Sequence, residues 1–271
     1  MKKRMLRLSI ISVLVLVGIV IIPYATNNQS LNIRHFIHKV TKPKLPYWVV
    51  NEFDPDAEEI AVKPTGNYDS LKAEIVKKKK ALGELYKEAS ETERAEILNE
   101  ANKLFTESLL NHIIPHWYGT KWDYNGYTNI PKQGIIACGY FVSTPLKHMG
   151  FNLNRYKLAQ TYSLQAVKVL QGSDVISLTG QGQDSLVNYL LAGHDGFYAI
   201  GLDHHIGLLL KRKDKAYFIH SNNIWPGTVC IERAEKTIQI RFSEALVLAK
   251  LSNNAIFLRK WILNEAFNVP T

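Results

Sequence analysis

The chain has 271 residues, 46% of them apolar, enough for one large domain or a domain with an accessory segment. Its formal charge is +9, but Lys2, Lys3, Arg4 and Arg7 open the sequence; removing them leaves 29 basic residues against 24 acidic ones, a net +5. That excess is spread along the chain, which suits an anionic cell surface or wall polymer and excludes a nucleic-acid-binding stripe, and no helix-turn-helix or RNA-binding signature is present.

The basic opening runs into an apolar stretch from Leu8 to Ile22, closed by Pro23. This is the pattern of an export signal, cleaved or retained as a membrane anchor over residues 1–26, and places the rest beyond the cytoplasmic membrane, on a periplasmic or extracellular face. Residues 27–66 carry Pro43, Pro46, Pro55 and Pro64 and read as a linker, with Tyr47-Trp48-Val49-Val50 as its docking point. Residues 67–116 read as a helical hairpin. Asp69 is the expected cap of a first helix bearing Leu71, Ile75, Leu82, Leu85 and Tyr86, with Lys77 to Lys80 on its solvated face. Ser90 and Glu93 form a capping box for a second helix carrying Ile97, Leu98, Ala101, Leu104, Phe105 and Leu109, which Pro115 stops.

The third region, residues 117–271, begins aromatic and turn-rich. Helices are expected from Cys138 to near Gly150, over Leu164 to Leu170, and over Asp184 to Leu191. Strands follow at Phe197 to Leu202, His205 to Leu210, Ala216 to His220 and Thr228 to Ile231, with a charged turn over Lys211 to Lys215. A last helix is expected about Ser243 to Leu251, then an apolar segment from Ala255 to Leu263. Helices followed by antiparallel strands give an α+β fold.

Two cysteines in an exported chain raise a disulfide, but their contexts differ. Cys230 sits in an alternating strand where a small apolar residue serves. Cys138 sits between a glycine-bearing loop, Gly134 to Ala137, and an apolar helix. A helix start favours thiolate, and its free N–H groups can hold an oxyanion, so Cys138 is the candidate nucleophile. His205 and His220 lie on consecutive strands that bring them together, one as base and the other orienting it. Asn222 and Asn223 are alternatives for the third position, better suited to a turn. Gln133 is a further oxyanion candidate, read in preference as a loop residue. Trp117, Trp122 and Tyr124 can line a groove or pack in the core. His194, Asp203, His204, His205 and His220 together with Cys138 or Cys230 lack the spacing of a metal site, and no metal or cofactor is expected.

Four segments, in order, resemble the NlpC-type papain-like cell-wall peptidases. They are Gly119-Thr120-Lys121-Trp122-Asp123-Tyr124-Asn125-Gly126, Ala137-Cys138-Gly139-Tyr140-Phe141-Val142, His205-Ile206-Gly207 and Phe218-Ile219-His220. The resemblance covers residues 117–223. It implies a papain-like fold with the nucleophile helix packed on an antiparallel sheet, Cys138 as nucleophile, His205 as base and His220 as the orienting residue, with Trp122 and Tyr124 meeting substrate. The implied activity is cleavage of peptide or amide bonds in peptidoglycan, with a protein-directed protease, a transamidase or a non-enzymatic wall-binding protein as alternatives. Ala137 stands where the family has Asp, Gly139 where it has Ser, and Trp122 where it has Tyr. Residues 153–195 form a long insert. The His-first order of the permuted lipid acyltransferases is absent.

Overall fold

The computed structural model describes residue 60 and residues 63–171, 174–224 and 227–269. The expected export segment, nearly all of the linker and the Tyr47 to Val50 docking point lie outside these residues. Among them no helix is long and apolar enough to cross a membrane.

Helix α1 spans Tyr68–Glu88 and is capped by Asn67, whose side chain accepts from the Ser70 N–H. Asp69, the expected cap, sits in the first turn and pairs with Lys72 at 2.7 Å. The lysine run is not one solvated face: Lys78 pairs with Glu74, and Lys79 is buried, its ammonium bonded to Gly150 O at 2.6 Å and Asn264 Oδ1 at 2.9 Å. Helix α2, Glu91–Glu107, begins with the expected Ser90/Glu93 capping box. It does not end before Pro115. The chain continues through a π-helical turn, Ser108–Ile113, into α3, Ile114–Trp117, because Pro115 lies in that helix's first turn, where a missing N–H costs nothing.

Helix α4, Cys138–His148, is followed by α5, Arg155–Gln160, and α6, Ser163–Gln171. Then come β1, Ile176–Ser177, α7, Gly182–Ala192, and a meander of β2, Gly196–Gly201, β3, Ile206–Arg212, β4, Lys215–Ser221, and β5, Val229–Arg233. The short α8, Ile238–Arg241, precedes β6, Val247–Lys250, and α9, Ala255–Ile262, closes the described chain. The segment expected as a helix over 243–251 is therefore not helical and contains β6: Leu246 to Ala249 is a short apolar run, and pairing with β2 decides it.

The fold is mixed α+β with one open six-stranded antiparallel sheet ordered β1-β6-β2-β3-β4-β5. Both faces are buried, which is why β2 and most of β3 and β4 show no exposed alternate residues. One face, with Leu208, Tyr217, Ile219 and Ala249, joins the main core with Phe141 and Val142 of α4. Phe105 of α2 enters that core edge-on to Phe257 and Trp261, so the helical hairpin shares it. The other face, with Leu209, Phe218 and Leu248, packs against Leu186 and Leu190 of α7 and Ile240 of α8.

Candidate active site

The loop before α4 is pinned to the sheet. Gly119 N–H donates to Val229 O, Val229 N–H to Thr120 O, and Trp122 N–H to Gly227 O, so this segment covers the free edge of β5. Ile136 N–H donates to Lys121 O, Ala137 N–H to Gly126 O, and the Ser221 hydroxyl to Ile136 O at 2.7 Å. Cys138 thus begins its helix from a loop held on both sides. Ala137 provides no side-chain cap, so the first-turn N–H groups stay free for the site. Those of Cys138 and Gly139, with the Ile206 N–H, draw the thiol pKa down, while burial, the larger effect, leaves it above the ordinary value. The resting residue is a thiol that needs a base. Gly139 has a local reason to lack a side chain: a Cβ there would overlap the Ala159 carbonyl of α5.

His205 lies just before β3, one residue from the Ile206 amide that meets the Cys138 sulfur. Gly207 lets the adjacent strand close in, since a Cβ there would meet Phe218 and His220. The result is a buried line of hydrogen bonds. His205 Nε2 is 2.8 Å from His220 Nδ1, and His220 Nε2 is 3.1 Å from Glu232 Oε1. The Asn222 amide donates to the same oxygen at 2.9 Å and the Cys230 thiol at 3.4 Å. Phe218 stacks on His220, with ring centres 4.2 Å apart.

This line sets the tautomers. A carboxylate only accepts, so Glu232 accepts a hydrogen bond from the N–H at His220 Nε2. His220 Nδ1 is then an acceptor for the N–H at His205 Nε2, which leaves the lone pair of His205 on Nδ1. Burial, with His220 beside it, holds the His205 pKa well below the usual imidazole range, so at rest it is neutral and able to accept. Burial, reinforced by the Glu232 charge, pushes the Cys230 thiol up and keeps it a donor.

Cys138, His205, Trp122 and Tyr124 line one open cleft of about 630 Å³, together with Tyr127, Tyr140, Gln160, His204 and Asn223. His220 lies behind it, fully buried. Tyr124 is 81% exposed, free to meet a ligand, whereas Trp117 is buried and donates to the Tyr68 hydroxyl. Both cysteines are free thiols. Asp203 accepts from the backbone of Glu244 and Ala245 instead of facing the histidines. Among the described residues, donor atoms of His220, Cys230 and Glu232 are the group close enough to hold a cation, and their hydrogen bonds account for that spacing. Glu232 is the member that sequence reasoning missed. It is a lone acid in a strand, and only the pairing of His220 with Cys230, and Phe218 with Glu232, brings it to the imidazole.

The chain has no significant match to any protein-family model, any curated protein or any solved structure.

Proposed function

We propose that the protein is an exported cysteine hydrolase of the NlpC-type papain-like kind, cleaving peptide or amide bonds in peptidoglycan. One observation carries the reading. A cysteine at an uncapped helix start opens on a cleft that also holds His205, and His205 is backed by a buried His220–Glu232 line that leaves its Nδ1 basic. The order of the four sequence segments that resemble the family supports the substrate assignment.

In the mechanism, the Cys138 sulfur attacks the scissile carbonyl as its proton passes to His205 Nδ1. The imidazolium is stabilised through His220 by the Glu232 carboxylate. The carbonyl oxygen becomes an oxyanion at the first-turn N–H groups of α4. Collapse expels the amine, which takes the proton from His205 and leaves a thioester on Cys138. Water, deprotonated by His205, attacks the thioester and releases the acid and the free thiol.

Digestion of purified peptidoglycan, followed by mass analysis of the products, tests this. Wild type should release peptide fragments with new amine and carboxyl ends, and Cys138→Ala should release none. Equal products from Cys138→Ala would refute the mechanism, and an intact wall beside active cleavage of a protein substrate would refute the wall assignment.

A further inference from the structure

A second depression in the described structure, about 1310 Å³, is distinct from the cleft that holds Cys138. It lies between α1 and the α4–α5 turn, and its charged lining is cationic: Lys72, Lys77 and Lys80 from α1, Lys147 from α4 and Arg155 from α5. Asp69 is the sole acid there and is spent on Lys72. Lys77, Lys80 and Lys147 form no ion pair among the described residues. Arg155 is 7% exposed, yet its guanidinium meets only neutral acceptors: Thr144 Oγ1 at 2.8 Å, Tyr127 O at 2.8 Å, Tyr156 OH at 3.3 Å and Thr128 O at 3.5 Å. A buried cation without a counter-charge raises the local potential. Burial, Lys72 and Arg155 accordingly hold the His148 imidazole in this groove near a pKa of about 4.

The groove and the cleft share no lining residue, but side chains in contact bridge them. Arg155 lies 4.5 Å from the Tyr156 ring and 5.3 Å from the Tyr140 ring, and Tyr140 stands edge-on to Tyr156. Tyr140 and Tyr127 line the cleft, and Tyr156 and Arg155 line the groove, so contiguous rings lead from one to the other. We propose that this groove binds a phosphodiester-linked polyol strand that carries, or lies beside, the peptide cleaved at Cys138. The inference rests on the hydrolase reading for what occupies the cleft, but not for what occupies the groove. Unpaired ammonium groups along one helix face match repeating phosphates, and aliphatic walls from Ala73, Val76 and Leu153 match a polyol backbone. The phenol ring in the groove, Tyr156, already lies against the Arg155 guanidinium, whereas nucleic-acid grooves keep ring faces for bases.

The test is binding of a poly(glycerol phosphate) chain to Cys138→Ala protein, so that it is read whether or not the chain is a hydrolase. Four uncompensated cations and a slope of about −0.7 per contact make affinity fall about 50-fold between 50 and 200 mM salt. Lys77→Glu with Lys80→Glu should weaken binding at least tenfold at 50 mM salt, and the pair Lys168→Glu with Lys236→Glu, on α6 and beyond β5, by less than twofold. Equal weakening by both pairs would show diffuse attraction and overturn the site, as would no binding at 50 mM salt. Equal or tighter binding of a single-stranded oligonucleotide with the same phosphate count would overturn the ligand class.

Discussion

Replacing Glu232 with Gln keeps the size of the side chain and an acceptor oxygen for His220, and removes the charge. The His205 and His220 rings lie 4.9 Å apart, centre to centre, and His220 Nε2 is 3.1 Å from the carboxylate. An imidazolium formed at His205 during attack therefore sits within about 9 Å of that charge. At an effective dielectric of about 20 the attraction is about 1.8 kcal/mol, roughly twentyfold in rate. The bond at His220 also changes from charge-assisted to neutral, which adds about 1 kcal/mol. Glu232→Gln should thus lower kcat about 20- to 100-fold with KM nearly unchanged. Steady-state kinetics on the peptide fragments that wild type cleaves, with a thermal melt to show that the fold is intact, provides the measurement. Wild-type kcat in a folded Glu232→Gln protein would refute the relay, and a loss confined to KM would assign Glu232 to binding.

Two further outcomes follow from packing and burial. Gly139→Ser places a Cβ against the Ala159 carbonyl, so the variant should lose about 1–3 kcal/mol and melt roughly 3–10 °C lower; an unchanged melt would show that α5 yields freely. His148, bonded to Tyr68 and Asn129, has its pKa lowered from 6.5 to about 4 by burial and by Lys72 and Arg155, so the unfolded chain takes up its proton first on acidification. Its contribution is present above pH 6.5 and is lost as pH falls from there to 4, by at most about 3 kcal/mol; urea midpoints at pH 7 and 4.5 should converge in His148→Gln, and an unchanged gap would exclude His148 as the cause.

The part of the chain that carries the candidate site was legible because its signals are local. A glycine-bearing loop before an apolar run marks the α4 start, and alternation around a charged turn marks β3 and β4. Their pairing then follows from the two-residue turn at Lys213 and Asp214, between Arg212 and Lys215. What escaped depended on distant partners. Leu246 to Ala249 has no periodicity that separates strand from helix, and Val247 to Lys250 becomes strand because β2 offers an edge. Pro115 reads as a stop until its place in the first turn of α3 is seen. Glu232 carries no pattern of its own, since its role is made by the register of β5 on β4.

The sheet order has a consequence along the chain. Strands β2 to β5 are consecutive hairpins of short reach, so the histidine–carboxylate line is assembled from neighbours in the chain. The strand between β1 and β2 is β6, which follows β5 in the chain. Without it, β2 has an open edge and β1 has no partner in the sheet. The strand that fills the gap between β1 and β2 thus comes later in the chain than the segment that carries His205, His220 and Glu232, and the two sides of the sheet are joined through it.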